Sequence, residues 1–274
     1  MQHRRPPHLL VFDSGLGGLS VLGALRNTIP EARITYLADD ARFPYSALND
    51  DELAARVCEV LAGPVAERGV DAILIACNTA STIALPALRE AFSQPVIGTV
   101  PAIKPAAMLS RSGLVSVLGT SATVRRDYTR ALIAEYGEGC GYTLVGSSRL
   151  AALAEAEMTG EPVTDDELRG EIAPCFKEMG GKRTDVVVLG CTHYPLLRHR
   201  FESLAPWPVT WLDPSPAIAR RAANLLAESG FPVGVGLARE AGEIIFTSGK
   251  ALSPALAATL QRYGLALARE AQYG

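Results

Sequence analysis

The sequence predicts an α/β fold built from two similar parallel-sheet domains, and three observations lead there. Short apolar runs alternate with helical stretches along the whole chain, the runs are continuous in Val, Ile and Leu rather than alternating with polar residues, and one stretch recurs about 114 residues later. Continuous β-branched runs suit strands covered on both faces by crossover helices. Self-similarity at a long offset is a mark of duplication.

In order, LLVF (9–12) reads as the first strand, followed by a helical VLGALRNTI; RITYLA (33–38) is the second, followed by the helical DELAARVCEVLAGPVAERG; DAILIAC (71–77) is the third. Further strands are expected at PVIG (95–98), LVSVLG (114–119), YTLVG (142–146), DVVVLGC (185–191) and VTWLD (209–213). GEIIFTSG suggests one more strand and turn within a tail, from Pro232 onward, whose purpose is not legible. The repeat aligns DAILIACNTA with DVVVLGCTHY, then LPALREAF with YPLLRHRF, then VPAIKPA with SPAIARRA. Two duplicated lobes follow, residues 1–98 plus 209–274 and residues 99–208, each with one Cys at the same structural position and a shared cleft between them as the expected site.

At 274 residues, 48% apolar and 20% charged, the chain can bury a large core. Its net charge is -3 with scattered basic residues, which gives no footprint for nucleic acid. LLVF is too short for a signal-peptide core, and no later run is long and uncharged enough to span a bilayer. No membrane association and a cytoplasmic location are expected. The five cysteines form no CxxC pair and the four histidines are too few and too scattered for a metal cluster, so neither a disulfide scaffold nor a metal site is expected. Whether two copies pair as a homodimer is left open.

Each Cys of the repeat closes an apolar run and precedes hydroxyl and amide residues suited to a helix N-terminus: Cys77-Asn78-Thr79 and Cys191-Thr192-His193. Ligands bind at the carboxyl ends of parallel strands, and a thiol at a helix N-terminus is acidified toward neutrality and can serve as a base. A lone Cys is as often a small buried hydrophobe; two in matching polar contexts favour function. Asp13-Ser14 leads into GLGG, which reads equally as a carboxylate-binding loop, a nucleotide loop or a tight strand-to-helix turn. His193 either assists Cys191 or caps a helix. DDARFPYS (39–46) offers amides to an anion or is an ordinary Pro-containing loop, and Gly119-Thr120-Ser121-Ala122-Thr123 repeats the strand-then-hydroxyl pattern.

Together, DSGLGGLSV, DDARFPYS, ACNTAST, GTSAT and GCTHYPLL, in this order and over residues 9 to about 228, closely resemble the glutamate racemase family of the aspartate/glutamate racemase superfamily. The resemblance implies two α/β domains and a glutamate substrate, without pyridoxal phosphate or metal. It further implies Cys77 and Cys191 as catalytic bases, supported by Asp13 and His193. Ser14, Asn78, Thr79 and Thr192 would hold the α-amino and α-carboxylate groups, and Pro44, Tyr45, Ser46, Thr120 and Thr123 would surround the side-chain carboxylate. The implied role is supply of D-glutamate to peptidoglycan. Ser46 stands where the family usually has Gly, and Ser147-Ser148 where it usually has Cys-Pro. Glu155 matches an acidic residue of that region only loosely and is given no catalytic role. Cys58, Cys140 and Cys175 are given none either.

Two bases on opposite faces of an α-carbon suit racemisation. The rivals are a racemase or isomerase acting on another acidic substrate such as aspartate, a hydrolase using Cys191 and His193 as nucleophile and base, and a two-lobed binding protein for acidic amino acids.

Overall fold

A computed structural model describes residues 5–234 and 240–268. They fall into two compact units, one running to Thr99 and resuming at Ser215, the other Val100–Pro214.

The first unit opens with β1 (His8–Asp13), every residue of which is buried, and a helix Leu19–Thr28. It continues through β2 (Arg33–Ala38), a helix Asp50–Arg68, β3 (Ala72–Ile75), a helix Asn78–Ala91 and the short β4 (Val96–Ile97). The long helix begins at Asn49, whose side chain accepts from the Glu52 amide, carries three acidic residues in its first turn and ends on Gly69 at φ 60°. Those are the start and stop signals that helix ends favour.

The second unit contains β5 (Leu114–Thr120), β6 (Gly141–Ser147), a small hairpin of β7 (Glu178–Met179) and β8 (Lys182–Arg183), then β9 (Val186–Gly190) and β10 (Thr210–Leu212). The hairpin was not anticipated from the sequence. Its turn is Gly180-Gly181, both at positive φ, a geometry that glycine pairs adopt without strain. The chain then returns to the first unit through a helix Ser215–Glu228, β11 (Gly242–Phe246) and β12 (Leu265–Leu267).

The two main sheets are parallel, ordered β12-β11-β2-β1-β3-β4 and β10-β9-β5-β6. Removing the two tail strands from the first leaves β2-β1-β3-β4, and the second, read backwards, is β6-β5-β9-β10. The strand orders are therefore the same, and the duplication inferred from the sequence is real in topology. VTWLD, assigned from sequence to the first lobe, is β10 and pairs with β9, with Thr210 opposite Val186. The second crossing thus lies after residue 214 rather than at 208. The GEIIFTSG expectation is met by β11, which pairs with β2; residues 235–239 and 269–274 of the tail lie outside the described residues.

In each sheet the chain moves from the first strand to one neighbour and then jumps back to the other side. That reversal leaves a crevice at the carboxyl edge between β1 and β3, and between β5 and β9, where ligands of such sheets settle.

Candidate active site

Asp13 is the last residue of β1, and Cys77 follows β3, so both stand at the first crevice. Asp13 is fully buried; its carboxylate accepts the Ser14 amide at 2.6 Å and, in a short bond, the Gly18 amide. This is the tight-turn reading of GLGG. Gly18 is required there, since an added Cβ would lie 2.7 Å from the Tyr36 hydroxyl and 2.9 Å from the Ala76 Cβ. The turn brings the Ser14 hydroxyl 3.7 Å from the Cys77 sulfur.

Cys77 is itself the N-cap of the 14-residue helix Asn78–Ala91. The helix's unpaired N–H groups and dipole favour negative charge at that end. Asn78 is 2% exposed, and neither its amide nitrogen nor its oxygen has a protein partner. A buried primary amide without partners carries a desolvation cost, which a hydrogen-bonding ligand would relieve. Thr79 is buried beside it.

Tyr45 packs its ring against Phe12 at 6.0 Å and belongs to the same apolar cluster as Cys77. Its hydroxyl donates to Asp39 at 2.6 Å and is thereby occupied within the protein. Ser46 is half-buried and Pro44 exposed in the same loop.

At the second crevice Thr120 ends β5 and Cys191 follows β9. Here the sequence expectation fails in part: Cys191 is not a helix N-cap. It is followed by a turn and a 3₁₀ segment, Tyr194–Leu197, before the helix Arg198–Leu204 starts. The sulfur instead lies 3.7 Å from Nδ1 of His193. On the other side of that ring, Nε2 lies 2.7 Å from Glu155 Oε1, and the side chain makes no cap hydrogen bond to the 3₁₀ segment that follows. Burial alone would lower the His193 pKa, but the hydrogen bonds and charges of Cys191 and Glu155 outweigh it and hold the imidazole well above its usual range.

Glu155 is thus a site residue that sequence reasoning left without a role. It comes from the helix Leu150–Thr159, whose first amides, those of Arg149 and Leu150, donate to the Ser147 hydroxyl at 3.1 and 2.8 Å. That serine, a departure from the family pattern, anchors the helix that delivers Glu155. Thr120 and Thr123 share a hydroxyl contact of 2.9 Å, both buried, and Thr192 is buried next to Cys191. Gly146 permits this packing, because an added Cβ would meet Val124 at 2.6 Å. Cys175, by contrast, is a core thiol that burial pushes up to about 12. Among the described residues no cluster of three His, Cys, Asp or Glu is arranged to hold a metal, and no helix is long and apolar enough to cross a membrane.

Comparison with known proteins agrees with this frame. Residues 20–222 match the family described as Asp/Glu/Hydantoin racemase. The glutamate racemase of Sinorhizobium medicae is 52% identical over 245 residues, 88% of this chain and 89% of that protein. That of Mesorhizobium japonicum is 49% identical over 262 residues, 94% and 98% of the two chains. The crystal structure of Escherichia coli glutamate racemase with L-glutamate and an activator, UDP-MurNAc-Ala, superposes with a TM-score of 0.86 at 39% identity, covering 95% of this chain and 96% of that one. With that identity over that coverage, the chain belongs to the Asp/Glu/Hydantoin racemase family.

Proposed function

We propose that this chain is a glutamate racemase that works without a cofactor, with Cys77 and Cys191 as paired proton donor and acceptor on opposite faces of the substrate's α-carbon. The observation that carries the proposal is the pair of thiols at equivalent switch points of a duplicated sheet, each with its own polar support. One sulfur, as thiolate, takes the α-proton; the other, as thiol, returns a proton to the opposite face of the planar intermediate. The roles exchange for the other enantiomer. The α-proton of an amino acid is weakly acidic, so charge developing on the carboxylate needs hydrogen bonds in a dry setting. Asn78, Thr79 and Thr192 are the donors for that task, with Ser14. Asp13 holds the turn that presents Ser14, and Glu155 holds His193 against Cys191. Thr120, Thr123 and the segment Pro44, Tyr45, Ser46 would meet the distal carboxylate, and the names of the relatives favour glutamate over aspartate. A role in the cytoplasm supplying D-glutamate for peptidoglycan accompanies this reading.

The Cys191–His193–Glu155 chain is also the arrangement of a thiol hydrolase, which would leave Cys77 idle. One experiment separates the readings. L-glutamate and L-aspartate are incubated with the protein in heavy water, and chirality and α-deuterium are followed. Racemisation with deuterium entry and no covalent adduct is expected for glutamate; an acyl-thioester without loss of chirality would overturn the proposal. Cys77→Ser should lower the rate by at least about a hundredfold, the low end of what a positioned base contributes. Normal racemisation by that variant would exclude the two-thiol mechanism.

A further inference from the structure

The tail strand β11 ends in a turn that reaches back into the site. Thr247 donates its hydroxyl to Asp39 Oδ1 at 2.6 Å, and its amide donates to the Ala38 carbonyl at 3.1 Å. Asp39 is fully buried, immediately after β2, and receives three more donors: Arg56 Nη2 on Oδ1 at 2.8 Å, Arg56 Nε on Oδ2 at 3.0 Å and the Tyr45 hydroxyl on Oδ2 at 2.6 Å. A carboxylate offers about four acceptor positions, and all four are taken. Its own amide donates to the Asp13 carbonyl at 2.9 Å. One residue on, Asp40 accepts the Ser248 amide at 2.9 Å and, in a short bond, the Ser248 hydroxyl. Burial would raise the Asp39 pKa, but the bonds from Arg56, Thr247 and Tyr45 outweigh it and keep the group ionised.

Burying an ion pair is weak grounds for stability, because an apolar cluster of the same shape often serves as well or better. What a saturated carboxylate does supply is direction: it fixes a helix, a loop and a tail turn at one point. The loop fixed here carries Tyr45, which is buried in the same apolar cluster as Cys77. We infer that Asp39 and Thr247 are positioning residues, a clamp through which the C-terminal segment holds residues 40–48 against Cys77 in the geometry that recognises the substrate's distal carboxylate. The last clause rests on the racemase reading above.

Thr247→Val keeps the side-chain shape and removes the donor; Thr247→Ser keeps the donor. Because the distal carboxylate is common to both enantiomers, Thr247→Val should raise KM for L- and D-glutamate alike, by about tenfold, or about 1.4 kcal/mol, with kcat unchanged. Thr247→Ser should restore KM. A loosened loop should also speed alkylation of Cys77 by iodoacetamide several-fold, read by peptide mass spectrometry, since local opening governs access to buried groups. An unchanged KM in Thr247→Val, or a fall in kcat at constant KM, overturns the clamp. If the unmodified protein turns over no glutamate, the racemase reading fails, and the clamp is then decided by alkylation alone: equal rates in the unmodified protein and Thr247→Val overturn it. Should Thr247→Val not fold, Ser248→Ala is held to the same criteria.

Discussion

Replacing Glu155 with glutamine asks whether His193 is carried as an imidazolium. The ring is 3% exposed, the carboxylate 21%, and the two are 2.7 Å apart. Glutamine preserves length and an acceptor oxygen, so a neutral imidazole would lose little. A charged one loses a charge-assisted hydrogen bond, generally about 1.5–3 kcal/mol; the partial exposure of Glu155 places the loss near about 2 kcal/mol. In a chain of this size about 1 kcal/mol corresponds to about 2–4 °C, so a fall in Tm of about 4–8 °C is expected. The pH dependence gives the stronger discrimination. His193 has a folded pKa raised above its unfolded value of about 6.5. Such a group contributes stability that is fully present below about 6.5 and is lost as pH rises through the folded pKa. The deficit of Glu155→Gln should therefore be greatest near about pH 6 and shrink on the alkaline side, read from melting curves of both proteins across a pH series. A deficit that is constant, or that grows with pH, would show a neutral His193 and refute the argument.

Two further substitutions probe the frame itself. Gly18→Ala forces a methyl between the Tyr36 hydroxyl and Ala76, and should cost about 1–3 kcal/mol as overpacking; an unchanged urea midpoint would contradict the close packing of the turn. Thr164→Ala removes a complete capping box in which Thr164 accepts the Glu167 amide and Glu167 accepts the Thr164 amide. A loss of about 1 kcal/mol is expected, with Thr164→Ser close to the parent in the same titration.

The strands that locate the crevices were legible because buried parallel strands write continuous apolar runs: β1, β3, β5 and β9 lie within a residue or two of the expected runs. The thiols and the residues beside them were legible too, as they sit one or two positions past those strands. What escaped was whatever depends on distant pairing. Glu155 meets His193 across 38 positions and Thr247 meets Asp39 across 208, and no local period records either. The missing helix after Cys191 has a local cause that the repeat concealed. Where ACNTAST runs directly into a helix, CTHYPLL turns first, and Pro195 falls early in a 3₁₀ segment.

That divergence makes the two halves non-interchangeable despite their shared strand order. Grafting the ACNTAST segment onto the end of β9 would put a threonine where the imidazole stands and remove the hydrogen bond between His193 and Glu155. The reverse graft would bring an imidazole into the first lobe, where Asp13 is already committed to the amides of Ser14 and Gly18. A duplicated scaffold thus carries two sulfurs whose maintenance has become separate, and a lesion in one lobe cannot be mended by copying from the other.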